Sequence, residues 1–442
     1  MLRYRWERRM MFYQKEIPQK YETDVFVAGG GAAGVTAAIA AARCGKRVFL
    51  AESTGCFGGV GTSGLVPAFA PFGDKVTLLA QGIGMEIRTQ VSKDVPLEEN
   101  WCPIRAEELK RTYDTMMTEA GVQFSFFTTL CDVLTCGDHI EGVVLCGKSG
   151  LFTVKAKQYI DCTGDGDLCA FGGGQFEMGD EEGDVMPATL CSLWSNIDFS
   201  RANPYQEIKL KDAVQDGIFT QPDLHLPGIQ KAIEKKGIGG GNVGHVYGVN
   251  PTDELSLTQG MIQGRKIVPE YVKYYREYMK EGYEEIELIS TASILGVRES
   301  RRIVCDYMLN VNDFLSRAVF EDEIGRYCYP VDIHPKNATA EEYEKFRKEY
   351  ENLRYKPGES YGIPYRSLIA SSFSNLLTAG RCMGTDRQMQ ASVRVMPGCF
   401  ITGQAAGVAA AIACESGETR AVNIKELQKT LKETIHAYLP NA

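Results

Sequence analysis

The spacing of apolar positions divides the chain into stretches of different rhythm. Thr23 to Ala28, TDVFVA, reads as a short buried strand, Ala32 to Cys44 as an Ala-rich helix closed by Gly45, and Arg47 to Ala51, RVFLA, as the next strand. Together they predict a compact βαβ unit. Residues 77–90 and 104–120 carry helical periodicity, the second ending at Gly121. Beyond that point VQFSFF, LCDVLTC, IEGVVLCG and LFTVKAKQYID are strand-like runs separated by Gly or Asp. They predict a small antiparallel meander that returns to a parallel sheet at Tyr159 to Cys162. Residues 175–370 are less regular and richer in Tyr, charge and turn signals, as expected of an inserted second domain. Within them ATAEEYEKFRKEY, 338–350, is a charged helix with a solvated face and no chemistry of its own. NLLTAG, 375–380, is a last buried strand, and GCFITGQAAGVAAAIA a small-residue helix that brings the chain back to its first domain.

The chemistry of the first unit follows from its turn. Gly29-Gly30-Gly31-Ala32-Ala33-Gly34 is a GxGxxG that follows a predicted strand and opens a predicted helix. Gly29 allows the tight turn, Gly31 lets the backbone approach a pyrophosphate, and Gly34 lets helix and strand pack closely. The helix N-terminus then faces the phosphates, and Glu52, closing the second strand, is placed to accept hydrogen bonds from a ribose diol. A second match, GGGNVG at 239–244, follows the polar EKKG and precedes HVYGVN, so it predicts a flexible loop and no second nucleotide site.

Three further segments favour FAD over NAD. GCFGGVGT, 55–62, directly follows Glu52 with enough glycine for backbone to lie against a flavin; DCTGDGD, 161–167, ends the strand after the meander; Gly380-Arg381 and RVMPG, 394–398, precede the small-residue helix. That helix's N-terminus suits negative charge on a reduced flavin.

With these motifs the chain resembles the FAD-dependent oxidoreductases of the glutathione-reductase superfamily, and within them the bacterial group related to the flavin domain of the heterodisulfide reductase A-type subunit. The resemblance covers roughly residues 22–414 and also rests on DCTGDGDL, MPATL at 186–190, LGVRESRRIVCDYML at 295–309, YPVDIH at 329–334 and the closing NLLTAGRCMGTDRQMQASVRVMPGCFITGQAAGVAAA. It implies that flavin touches Gly29, Gly31, Gly34, Glu52, Gly59, Thr163, Gly164, Asp165, Gly380 and Gly398. The fold expected is α/β: a Rossmann-like FAD/NAD(P)-binding fold with an inserted α+β substrate domain. Its parts are an N-terminal extension over 1–20, FAD-binding segments over 21–170 and 371–415, a substrate domain over 171–370 and a C-terminal helical tail over 416–442.

Where disulfide reductases of this fold place a redox cysteine pair after the loop glycines, this chain runs GGVGTSGLV. Thiol relay chemistry is not expected, and Cys56 is read as packing. The fourteen cysteines contain no CxxC, so neither an iron–sulfur cluster nor another metal site is expected; free thiols in such number point to a reducing, cytoplasmic setting. The first twenty residues lack the apolar segment of a secretory signal, and the twin Arg8-Arg9 is not followed by one. Net charge of −9, from 57 acidic against 48 basic residues, disfavours nucleic-acid and anionic-lipid partners. No apolar run is read as long enough to span a bilayer.

Candidates for catalysis are few. His245 and His334 could transfer protons or serve as loop residues, and Tyr361 and Tyr365 could line the flavin or pack. Arg298 and Arg302, four residues apart, are expected to share a face, and Arg394 to join them from before the last helix, holding an anionic substrate by forked hydrogen bonds. Pairing with Glu299 or Asp306 is the competing expectation. The function expected is hydride transfer between flavin N5 and a small organic substrate, anionic where the arginines hold it, with an electron acceptor or donor of unknown identity. An electron-transfer subunit of a heterodisulfide-reductase-like complex and a flavin-dependent nucleic-acid-modifying enzyme are the alternatives.

Overall fold

The computed structural model describes residues 14–92, 95–96, 101–221, 223–337, 339–350 and 352–441. Most of the extension expected over 1–20 lies outside them, and Gln19 and Lys20 belong to the first strand.

The chain opens with β1 (Gln19–Ala28), α1 (Ala32–Arg43) and β2 (Val48–Ala51), the predicted βαβ unit. Helices α2 (Ile83–Val91) and α3 (Ala106–Glu119) follow, then β3 (Gln123–Ser125), β4 (Thr129–Cys136), β5 (His139–Gly147) and β6 (Gly150–Asp161). The middle of the chain forms β7 (Ser192–Ser195), β8 (Gly228–Ile233), β9 (Ile238–Asn242) and β10 (Glu287–Thr291). The end supplies β11 (Leu376–Thr378) and α4 (Met396–Ser416).

The main sheet has the order β3-β2-β1-β6-β5-β4, with β11 also paired to β6. Its β3, β2, β1, β6 and β11 neighbours are parallel, while β4, β5 and the first half of β6 form the predicted antiparallel meander. β6 joins the two because it is twelve residues long: Leu151 to Val154 pair with β5, and Gln158 to Asp161 run beside β1. VQFSFF does not enter the meander; its strand, β3, lies parallel to β2 at the sheet edge.

α1 and α4 pack through small residues. A Cβ on Gly403 would stand 2.3 Å from the Ala33 carbonyl oxygen, and one on Gly407 2.2 Å from that of Ala37, so only glycine permits the approach. At 21 residues α4 is, contrary to the expectation from sequence, long and apolar enough to cross a bilayer by length and composition. Most of it is buried against protein, as a core helix is.

The middle sheet runs β8-β9-β7-β10, all antiparallel. Here the loop expected over 239–244 is a strand as far as Asn242, and only Val243 and Gly244 lie outside it. Its glycines are required by packing, since Cβ atoms on Gly239, Gly240 and Gly241 would come within 2.3–2.5 Å of Ile229, Pro67 and the Trp194 indole. Trp194, Tyr271, Tyr274, Tyr275 and Tyr283 fill a separate core beneath this sheet. The stretch from Leu309 to Ile369, placed in the middle segment by its composition, shares its core with α1, α3 and α4.

Candidate functional site

The C-terminal ends of β1, β2, β6 and β11 converge with the N-termini of α1 and α4, the location where open α/β sheets receive nucleotides. Gly29 has φ +87°, and a Cβ there would meet the Cys162 carbonyl oxygen at 2.6 Å. Gly31 differs: a Cβ built on it meets nothing within 4 Å, and its neighbour across the opening is Gly59. This is an open cradle of backbone, with no side-chain cap and no acidic residue in the first turn of α1. Glu52, 6% exposed, has one carboxylate oxygen on the Gly30 amide (2.7 Å) and the other on the Thr54 amide (2.7 Å). The second of these oxygens also accepts from the Ser53 hydroxyl at 3.4 Å, while the one on Gly30 keeps a lone pair for a further donor.

Asp161, fully buried, shapes the second wall. It accepts from the Thr163 amide and hydroxyl at 3.1 and 2.8 Å and from the Cys169 amide at 3.0 Å, so Gly164 turns with φ +79°. Asp165 pairs with Arg381 at 3.0 Å, and the second Arg381 Nη is buried without a partner. Gly380, φ +80°, donates its amide to Thr402 Oγ1, while a Cβ on Gly398 would meet the Val393 carbonyl oxygen at 2.3 Å. Of the residues named for the cofactor, Gly59 faces Gly31, Gly164 and Asp165 both lie against Arg381, and Gly380 lies against Ala33 of α1, whereas Gly29, Gly34 and Gly398 are held close to protein carbonyls. An open backbone cradle, two uncapped helix N-termini and a carboxylate at the end of β2 fit a dinucleotide.

The three arginines separate. Arg302 turns inward to Glu299 (2.9 Å) and the Gly179 carbonyl. Glu299 is fully buried and also takes Arg387 Nε at 3.0 Å and the Met186 amide at 2.9 Å. Arg302 is thus a structural ion-pair partner, correcting its expected place beside the substrate. The face argument fails because residues 297–300 are irregular and only Arg301–Ile303 is strand. Arg298, 8% exposed, points elsewhere: Nη1 donates to the Pro187 carbonyl and Thr189 Oγ1, both at 2.8 Å, and Nη2 reaches Asn242 Oδ1 at 3.4 Å. It forms no ion pair with a carboxylate among the described residues. Burial, reinforced by the nearby Arg394 charge, pulls its pKa down to about 10. Arg394, next to the N-cap residue of α4, holds the Asp332 carbonyl and carboxylate at 3.0 and 3.2 Å, and its buried Nε has no partner.

Around these two arginines lies a cluster of histidines. His225, His245 and His334 bring one nitrogen each within 4.8 Å of the others. His245 Nδ1 is 3.0 Å from Asp223, and His334 Nε2 is 3.4 Å from Asp332. Burial lowers the pKa of all three: His225 falls to about 4, with His245 adding to the effect, and His245 falls despite Asp223. Burial would raise both aspartates, but His245 on one, and His334 with Arg394 on the other, hold them well below the usual carboxylate range.

The family described as FAD dependent oxidoreductase matches residues 24–431. The chain belongs to it. Among solved structures, this oxidoreductase is similar to a geranylgeranyl bacteriochlorophyll reductase-like protein from Thermoplasma acidophilum (12% identity, 94% of this chain and 84% of that one, TM-score 0.47). It is also similar to a flavin-dependent brominase (12%, 92% and 82%, TM-score 0.46) and to p-nitrophenol 4-monooxygenase from Pseudomonas putida (13%, 94% and 84%, TM-score 0.41).

Tyr361 and Tyr365 are packing residues of the oxidoreductase, bonded to Ser392 and the Thr419 carbonyl. His245 and His334, open between two roles in the sequence, are buried in the cluster. The charged helix Ala340–Tyr350, expected to carry no chemistry, sends the Tyr343 hydroxyl to His225 Nδ1 at 2.9 Å. His225 and Asp223 gave no sequence signal, because DLHLP is too short to show a period.

Proposed function

We propose that this FAD-dependent oxidoreductase transfers a hydride between flavin N5 and a carbon of a small anionic substrate whose charge lies between Arg298 and Arg394. FAD, when bound, supplies the two-electron chemistry. The observation that carries the reading is Arg298 itself: a buried guanidinium hydrogen-bonded only to neutral oxygens. An unpaired buried charge is costly, and an anion at that point offsets the cost. Arg394 adds a second guanidinium with a free Nε, one residue before the N-cap of α4. Guanidinium forks bind and orient a carboxylate through parallel hydrogen bonds. Gly30, Gly31, Glu52, Thr163 and Gly164 would hold the dinucleotide portion. Fourteen free cysteines support a reducing compartment for the enzyme. Kinship with the heterodisulfide reductase flavin domain is supported by the motifs at 161–168, 295–309 and 375–411.

The test is a titration of the flavin-loaded protein with oxalate, succinate and benzoate, followed by the flavin spectrum. At least one anion is expected to perturb the spectrum saturably, with affinity falling about tenfold or more in Arg298→Met and in Arg394→Lys. Equal affinity in both variants would refute the assignment.

A further inference from the structure

We propose that His225, His245 and His334 form a binding site for one divalent transition-metal ion of the zinc class. Three of the five histidines in the chain, from separate segments, meet here with ring centroids 4.7, 5.0 and 5.2 Å apart. The central observation is a contact of 3.0 Å between His245 Nε2 and His334 Nδ1. Each of these rings has its other nitrogen against a carboxylate, Asp223 for His245 and Asp332 for His334. A carboxylate accepts a hydrogen bond, so it draws the ring proton to its own side and leaves the facing nitrogen bare. Two bare nitrogens at this distance repel each other, and a cation bound by both removes the repulsion.

A shared proton would satisfy two rings, but the third is arranged in the same way. His225 has Nδ1 on the Tyr343 hydroxyl at 2.9 Å, which leaves its Nε2 for the common centre. Each histidine thus has an oxygen partner behind it, the outer arrangement that orients metal-binding imidazoles. The separations agree with an ion at the centre. Metal–nitrogen bonds of about 2.0–2.1 Å in tetrahedral geometry place ligand nitrogens roughly 3.4 Å apart, and small ring rotations bring this cluster there. Asp223 and Asp332 each stand against one of the rings, so carboxylates lie beside the cluster on the side away from the facing nitrogens. Imidazole ligands select zinc, copper, nickel or iron over magnesium and calcium. Three protein ligands leave a fourth position open, as in sites where a metal meets water or substrate. Cysteine spacing is silent about this site because no cysteine takes part.

The inference stands apart from the hydride-transfer reading, since binding is measured without substrate. Flavin-loaded protein is dialysed against a chelator, then titrated with Zn²⁺, Co²⁺ or Ni²⁺ in competition with a chromophoric chelator. We expect about one ion of at least one of these metals per chain. Affinity should fall at least tenfold in His245→Ala and His334→Ala, and about 10- to 100-fold in Asp223→Asn. His139→Ala, outside the cluster, should leave it unchanged. Should the alanine variants fail to load flavin, His225→Gln, at the half-buried edge, and Asp223→Asn carry the test. Absence of binding by the flavin-loaded wild-type protein for all three ions, or equal binding by the cluster variants, would overturn the proposal.

Discussion

A methyl group on Gly34 would stand 1.8 Å from the carbonyl oxygen of Gly29. The third glycine of the turn is therefore fixed by the fold itself, whereas Gly31 is not: its missing side chain leaves open space.

The two positions give opposite expectations. Gly34→Ala should destabilise the protein with or without flavin, by about 1–3 kcal/mol from forced separation of α1 and β1. Gly31→Val should leave the flavin-free fold close to wild type in thermal unfolding yet abolish FAD binding. Unfolding curves and flavin content after reconstitution read both effects; a Gly31→Val protein that keeps stoichiometric FAD would contradict the cradle.

Arg302 is expected to behave as part of the framework. Arg302→Met removes one partner of the fully buried Glu299 while Arg387 remains, so the cost should lie near the lower end of the roughly 3–5 kcal/mol seen for broken buried pairs. Denaturant unfolding should show this loss while anion affinity stays unchanged. Weakened anion binding at unchanged stability would return Arg302 to the substrate site.

These cases show how far the sequence could be read. The βαβ unit with its glycine turn and the antiparallel part of the meander are local patterns, and the structure forms both. Partners distant in the chain were not legible. Glu299 captures Arg302 only because Met186 and Arg387 close around it. The first four residues of GGGNVG are strand only because Trp194, Ile229 and Pro67 lie against them. The histidine cluster unites three short segments whose apolar periodicity carries no information about one another.

A pH effect is expected at Asp167. Burial, with Asp165 and Asp161 close by, outweighs Arg301 and pushes its carboxyl up to about 6 from the ordinary 3.8. Between these values the folded protein holds more protons than the unfolded chain, so this contribution to stability is full below about pH 4 and is lost as pH rises through about 6. With its side chain 36% exposed, the amplitude is reduced by solvent. Thermal unfolding of wild type and Asp167→Asn across this window should show wild type losing stability relative to the variant as pH rises. Parallel curves would show that the carboxyl titrates normally.

The central claim, flavin chemistry on an anionic substrate held by Arg298 and Arg394, is tested most directly by anaerobic stopped-flow spectroscopy. Oxidised protein is mixed with small hydroxy and saturated carboxylic acids and, in parallel, with their methyl esters. The account predicts that at least one acid bleaches the bound flavin, that its ester does so about 100-fold more slowly or not at all, and that Arg394→Lys slows the acid while retaining flavin. Bleaching by acid and ester at the same rate, or acid turnover unchanged in both Arg298→Met and Arg394→Lys, would contradict it.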